Sequence, residues 1–152
     1  MLRSRLNEAL KEAMRAKDQR VIATVRLILA ALKDRDIAAR GRGQTDGIDE
    51  AELLSMLQTM IKQRRESIQM YEQGGRLELA QQEQEEIVVI EGFMPKQMTE
   101  DETKAAVAAL IQEIGAAGVK DMGRVMADLR SRYAGQMDFA KASGLVRQAL
   151  VG

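Results

Sequence analysis

Helical periodicity is the feature of this sequence that most limits its fold. Apolar residues recur at the spacing of one helix face along most of the chain, beginning with Leu2, Leu6 and Leu10. No stretch shows the alternation of a β-strand, and a single proline in 152 residues is compatible with long helices. The pattern predicts an all-α protein with an N-terminal four-helix region and a small C-terminal three-helix domain.

The second predicted helix, over about residues 19–39, occupies a special place in this arrangement. Asp18 precedes it as an N-cap, and Val21–Leu32 is apolar on nearly every side. A helix without a polar face is typical of the centre of a bundle. We therefore expect core positions at Leu29 and, in the third helix, at Leu57.

The third and fourth helices are separated by Gly74–Gly75, a typical helix stop. The fourth helix, about 76–91, places Leu77, Ala80, Ile87 and Val88 on one side. Its polar segment 81–86 is interpreted as a solvated outer face, with a docking surface as the alternative.

A boundary is predicted at Gly92–Met98, where Pro95 forces the preceding residue out of helical geometry. The capping box Thr99–Glu102 follows, and further helices are expected to open at Asp121 and Asp138. The predicted domains are residues 1–92, a linker at 93–98, and residues 99–152.

Composition limits the chemistry that the chain can perform. It contains no Cys and no His, so it has no thiol nucleophile, no disulfide and none of the usual zinc ligands. No phosphate-binding glycine loop is visible. We predict no catalytic residue, no metal and no cofactor.

The absence of a signal peptide and of an apolar span predicts a cytoplasmic protein without a membrane partner.

The charges balance overall but are distributed unevenly. Residues 1–42 hold eleven Lys or Arg against five Asp or Glu, whereas residues 43–98 hold five against eleven. The basic end suits nucleic acid, although solvated or mutually paired charges are the simpler interpretation.

Two basic groupings are candidates for phosphate contact. The first is Lys62, Arg64 and Arg65, interpreted mainly as a solvated face paired with Glu66 and Glu72. The second lies on the last two helices and comprises Lys120, Arg124, Arg130, Arg132, Lys141 and Arg147. Gly123 and Gly144 lie within those helices, where they allow close approach of another helix, which is the favoured interpretation, or of a phosphate.

Several segments carry a resemblance in their order and spacing. They are Ala13–Asp18, Arg26–Lys33, Ile61–Ser67, Tyr71 with Gly74–Arg76, Glu91–Met98 and Asp121–Met126. Together they resemble the YqeY-like branch of the GatB/YqeY family over essentially the whole chain.

The resemblance implies a link to tRNA. Residues 99–152 are similar to the tail domain of the B subunit of glutamine-dependent aspartyl/glutamyl-tRNA amidotransferase, a domain that engages tRNA. The family-level activity is carbon–nitrogen ligation with glutamine as amido-nitrogen donor, but the catalytic cradle is absent here. The family often has a basic residue in the turn before the last helix, where this chain has Gly135-Gln136-Met137-Asp138.

The leading hypothesis is a tRNA-associated accessory protein that is not catalytic alone. Its candidate tRNA contacts are Lys120, Arg124, Arg130, Arg132 and Lys141. Its expected partners are tRNA or a protein of the aminoacyl-tRNA or translation machinery, and not DNA. The alternative is a helical protein–protein adaptor without direct RNA binding.

Overall fold

The computed structural model describes residues 1–151, and this part of the chain is helical with no β-strand. The predicted all-α class, with four helices followed by three, is confirmed. The helices are α1 Leu2–Ala16, α2 Gln19–Gly41, α3 Glu50–Gln73, α4 Leu77–Glu91, α5 Glu100–Ile114, α6 Met122–Arg132 and α7 Phe139–Val151. A short 3₁₀ turn, Val119–Asp121, precedes α6.

Side-chain caps define several helix starts. The Asp18 carboxylate accepts the Val21 N–H at 3.3 Å, and Asp49 accepts the Glu52 N–H at 2.8 Å. At α5 the capping box is complete, because Thr99 Oγ1 accepts the Glu102 N–H while the Glu102 carboxylate accepts the Thr99 N–H. These caps satisfy N–H groups that a helix start leaves without intrahelical partners.

The chain divides into two compact units, Met1–Met94 and a second unit that begins at Pro95. In the first unit α1 packs on α2, and α4 packs on both α3 and α2. The core is aliphatic and is closed by Phe93. Its fully buried side chains include Leu6, Val25, Ile28, Leu57, Ile87 and Ile90.

Helix α2 is not surrounded, contrary to the sequence-based expectation. Ile28 is fully buried, but Leu27 is 46% exposed and Ile37 is 54% exposed. Leu29 is only half-buried, whereas Leu57 is fully buried as expected. The helix packs against its neighbours through one face, and its apolar outer face has no partner within the first unit.

Two inward assignments on α4 are also wrong. Leu77 is 65% exposed and Val88 is 60% exposed. The other two assignments, Ala80 and Ile87, are correct, and both are buried on the inner face together with Ile90. This 15-residue helix has apolar residues on more than one side, so its sequence pattern does not define which side faces the core. The packing of the neighbouring helices determines its orientation.

The second unit has its own core. The inner faces of α5, α6 and α7 meet around Leu110, Leu129 and Val146. Met137, from the turn before α7, is fully buried among them. Phe93 packs in the first core and Met98 against the second. That residues 1–92 and 99–152 fold as independent domains joined by a linker at 93–98 stays a prediction.

Candidate RNA-contact surface

The predicted contact residues are all exposed, and all belong to the 3₁₀ turn, α6 or α7 of the second unit. Lys120 is in the 3₁₀ turn, Arg124, Arg130 and Arg132 are on α6, and Lys141 is on the first turn of α7. Residues 119–151 hold six Lys or Arg against three Asp or Glu. This part of the unit is therefore locally basic although the whole chain is neutral.

The five side chains differ in how far they are already engaged. Arg132 donates two hydrogen bonds to Glu113 on α5, at 2.8 and 2.9 Å. This pair lowers the pKa of Glu113, chiefly through the hydrogen bonds from Arg132. Lys120 and Lys141 form no ion pair among residues 1–151. Arg132 is thus the least available of the five for a phosphate.

Arg124 and Arg130 are loosely held. An Arg124 guanidinium nitrogen lies 3.5 Å from both an Asp121 carboxylate oxygen and the Ile114 carbonyl oxygen. The Arg130 guanidinium lies over the Phe139 ring, 5.9 Å from its centroid. A guanidinium held against a ring keeps its outer N–H groups free to donate to an anion.

The two aspartates predicted at the helix starts have different roles. Asp138 caps α7 as expected, accepting the Ala140 and Lys141 N–H groups at 3.1 and 3.2 Å. Asp121 does not cap α6, because its carboxylate turns back to accept the Ala117 N–H at 2.9 Å. That hydrogen bond is the main reason why the pKa of Asp121 is lowered.

The two helix-interior glycines face open space. A Cβ added at Gly123 or at Gly144 would meet no heavy atom within 4 Å. The interpretation that they serve packing between helices of this chain is therefore wrong. Both positions instead leave helix backbone accessible from outside, at a cost of about 1 kcal/mol each in helix propensity.

The turn at Gly135 is used for internal contacts. Gly135 has φ +76°, and its carbonyl accepts a hydrogen bond from the Gln97 side chain at 2.7 Å. The Gln136 carbonyl accepts the Met98 N–H at 2.8 Å. Sequence reasoning missed Gln97 and Met137 here, and the only signal was an apolar residue at Met137 inside a polar turn.

The first basic grouping is solvated only in part, because Lys62 and Arg65 are exposed as expected but Arg64 is not. The Arg64 side chain is 14% exposed, with Nε 3.5 Å from Glu86 and 3.9 Å from Glu83 on α4. Arg65 pairs with Glu91 at 3.3 Å. The partners are therefore on α4, not at Glu66 and Glu72.

The same cluster corrects the view of segment 81–86 as a wholly solvated face. Glu86 is buried. The pKa of the Glu83 carboxyl is raised, chiefly because Glu83 is itself partly buried and also because the Glu86 carboxylate lies beside it. Arg64 Nε has no hydrogen-bond partner among the described atoms. The arrangement joins α3 to α4. The described residues contain no group of three or more Asp or Glu that could hold a metal ion.

None of the helices described combines the length and the apolar character needed to cross a bilayer.

The profile of the family described as Yqey-like protein matches residues 3–150. The chain belongs to the YqeY-like family. The resemblance inferred from its motifs is thereby confirmed, with both units inside the family match.

Three curated relatives of this YqeY-like chain come from fungi. A protein of Eremothecium gossypii is 36% identical over 89 residues, which are 59% of this chain and 46% of the relative. One of Lachancea thermotolerans is 32% identical over 111 residues, 72% of this chain and 57% of the relative. One of Saccharomyces cerevisiae is 35% identical over 91 residues, which are 60% of this chain and 47% of the relative. The chain spans about half the length of the curated relatives it matches.

The prediction of a cytoplasmic protein is contradicted by these relatives. Each is named Altered inheritance of mitochondria protein 41, mitochondrial. The prediction depended on a missing signal peptide and a missing apolar span, which distinguish secreted and membrane proteins from other proteins. Neither absence distinguishes one aqueous compartment inside the cell from another.

Proposed function

We propose that this YqeY-like protein is a tRNA-associated accessory protein whose RNA-facing surface lies on α6 and α7. The observation that supports the proposal most directly is the exposure of four basic side chains of the second unit, Lys120, Arg124, Arg130 and Lys141. Two of these four cations have no ion pair and the other two are loosely held, so little internal interaction is lost when they turn to phosphate.

The outward glycines support the same surface. Gly123 adjoins Arg124 on α6, and Gly144 follows Lys141 by three residues, about one turn of α7. A helix without a Cβ at such a position admits the sugar–phosphate backbone closer than one with a side chain. Side chains rather than the α7 start would make the contacts, since Asp138 already occupies those N–H groups.

The structure also limits the proposed set of contacts. Arg132 donates two hydrogen bonds to Glu113. We therefore assign it a smaller contribution to tRNA affinity than Lys120 and Lys141, which form no ion pair among the described residues. Because the pair is exposed, its contribution to stability is small and it can exchange partners. The turn at Gln136 lacks a cation and is not part of the proposed surface.

The test is tRNA binding by the full chain and by charge-reversal variants. Arg124→Glu with Lys141→Glu should weaken binding at least tenfold without lowering the melting temperature, because both side chains are exposed. Each phosphate contact contributes roughly one unit to the slope of log affinity against log salt. The slope should therefore fall by about two in the double variant.

The matched control is Lys62→Glu with Arg65→Glu on α3, which changes the same charge on the first unit. Arg65 pairs with Glu91 on the surface, so this variant should fold and bind tRNA normally. Loss of binding in the control alone would place the RNA surface on the first unit. No effect of either variant, and none of salt, would replace the proposal with the protein–protein adaptor.

Catalysis is a separate question. We propose no independent ligase activity, because the chain lacks the cradle that the amidotransferase resemblance would require. Incubated with glutamine, ATP, magnesium and Glu-tRNA, the purified protein should form no Gln-tRNA. Turnover that persists after removal of contaminating amidotransferase would overturn this.

A further inference from the structure

The outer face of α2 carries a heptad pattern that no helix of the first unit covers. The residues, here called the outer seam, are Ala23, Leu27, Ala30, Asp34 and Ile37, and all five are exposed. They alternate at spacings of four and three, the spacing of a and d positions in a coiled coil. The outer seam is about 21 Å long at 1.5 Å per residue.

Basic residues line one edge of this seam at intervals of seven. With Leu27 and Asp34 at a positions, Arg26, Lys33 and Arg40 all fall at g. All three are exposed and form no ion pair among the described residues; Arg40 acts only as a more distant charge on Asp36. In coiled coils the g positions select the partner through interhelical ion pairs.

The opposite edge of the seam carries small, uncharged side chains, most of which are covered by the bundle. Thr24 is buried, and Ala31 is half-buried on the side where α2 packs within the bundle. A partner helix is therefore offered one charged edge only. Its own facing edge must be acidic to pair with the three cations.

We propose that the outer seam docks an amphipathic helix of another protein, with apolar a and d positions and acidic residues along the edge facing Arg26, Lys33 and Arg40. Asp34, an acidic residue within the seam, sets the register by requiring a cation opposite it. The surface lies on the first unit and does not depend on the proposed RNA function.

A second copy of this chain fits the seam less well. The exposed face of α4 repeats the spacing with Leu77, Gln81, Gln84, Val88 and Glu91, but its centre is two glutamines. Its flanking acids are already paired, Glu78 with Arg76 and Glu85 with Arg20. An anionic membrane or RNA fits less well too, because Asp34 lies in the middle of the seam.

The test uses two fluorescent 21-residue helical peptides and the full chain. Both have leucine at a and d and one lysine opposite Asp34, and they differ only in having Glu or Lys at the flanking positions. The Glu-flanked peptide should bind roughly tenfold more tightly, the effect expected of three ion pairs. Leu27→Asp with Ile37→Asp should abolish binding of both peptides.

Charge reversal makes the test specific. Arg26→Glu with Lys33→Glu should make the Lys-flanked peptide the tighter ligand, while Arg40 is left in place because it acts on Asp36. Leu77→Asp with Val88→Asp, equally exposed on α4, is the matched control and should change nothing. All variants alter exposed side chains and should keep the wild-type circular dichroism spectrum and melting temperature.

Several outcomes would overturn the proposal. They are equal affinity for the two peptides, a preference that survives charge reversal, or loss of binding in the α4 control. Sedimentation showing a dimer that Leu27→Asp with Ile37→Asp disrupts, without peptide binding, would assign the seam to a second copy. Binding of anionic vesicles or tRNA that Arg26→Glu with Lys33→Glu abolishes, again without peptide binding, would assign it to those partners.

Discussion

Asp36 joins three segments of the first unit through one carboxylate. It accepts two hydrogen bonds from Arg3 of α1, at 2.7 and 2.8 Å, and one from the Ile48 N–H at 2.9 Å. Arg3 also donates to the Ile48 carbonyl at 2.8 Å. The hydrogen bonds from Arg3 are the main cause that lowers the pKa of Asp36 from 3.8 to about 2.

The ionised Asp36 should therefore stabilise the fold at neutral pH. Because its pKa is lower in the folded than in the unfolded chain, the contribution is complete above about pH 4 and is lost as the pH falls towards 2. Asp36→Asn should cost about 1–2 kcal/mol at pH 7 and about half of that at pH 3, measured by urea unfolding. Asp34→Asn, on the exposed face of α2, should cost less than about 0.5 kcal/mol. An equal loss from Asp36→Asn at both pH values would contradict the prediction.

Lys17 is held in a backbone conformation that favours glycine. It follows α1 with φ 57° and ψ 35°, and the Asp18 N–H is donated to the Ala13 carbonyl at 3.0 Å. Lys17→Gly should raise the free energy of unfolding by about 1 kcal/mol, since the left-handed region costs a residue with a Cβ roughly that much. Lys17→Ala keeps the Cβ and should bring no gain. A lower melting temperature for Lys17→Gly would show that the strain is absent.

Helix α2 carries large apolar residues on two faces that differ in burial. Ile28 is fully buried, whereas its neighbour Leu27 is 46% exposed. The sequence around them is apolar on both sides, so hydrophobicity alone does not separate the two. The difference arises from where α1, α3 and α4 pack.

Truncation should distinguish the two faces of α2. Ile28→Ala should cost about 2–5 kcal/mol, the usual cost of a cavity in an aliphatic core. Leu27→Ala should cost less than about 0.5 kcal/mol, because little of its contact is within the chain. Chemical denaturation of both variants measures the difference. Similar losses would mean that the outer face of α2 is covered in solution.

Between α3 and α4 the acidic pair Glu83–Glu86 is only partly compensated by Arg64. The pKa of Glu83 is raised, so the stability that its protonated form provides is present below its ordinary pKa and is lost as the pH rises. Glu83→Gln should therefore stabilise the protein at pH 7 by about 0.5 kcal/mol, the size of one like-charge pair on a helix, and have no such effect at pH 4.

The control for this variant is Glu85→Gln on the same helix. Glu85 is exposed and pairs with Arg20 at 3.0 Å, so its removal should slightly destabilise the protein at pH 7. Thermal unfolding of both variants at pH 7 and pH 4 gives the comparison. Destabilisation by Glu83→Gln at pH 7 would mean that its pairing with Arg64 outweighs the repulsion from Glu86.

At the scale of the whole molecule, the connecting segments differ in how firmly they are held. The loop after α2 is exposed from Arg42 to Asp46. The segment around Lys96 is short and is tied down by the Gln97 side chain, which donates to the carbonyls of Pro95 and Gly135. The first loop should therefore open more readily.

Limited trypsin digestion should cut first after Arg42. A protease binds several residues in an extended conformation, which an exposed loop can adopt more readily than a residue within a helix. Lys33, exposed within α2, is the internal comparison and should be cut much later. Mass spectrometry of the earliest fragments identifies the site. A first cut after Lys33 would mean that α2 frays in solution.

Periodicity, caps and glycines were sufficient to predict which residues form helices. Asp18, Asp49 and the Thr99–Glu102 capping box act within one turn of themselves, so their effect can be read from a few neighbouring residues. The motifs were specific enough to indicate the YqeY-like family, because order and spacing persist along the whole chain.

The tertiary structure alone decided which faces are buried and which charges are paired. Leu27 and Leu77 are exposed although both are large apolar residues of a helix, because burial depends on residues far away in sequence. Likewise Arg64 meets Glu86 and Arg132 meets Glu113 across helices, so their availability could not be inferred from charge spacing. Local propensity acts over a few residues, whereas packing and ion pairing depend on distances that only the folded chain defines.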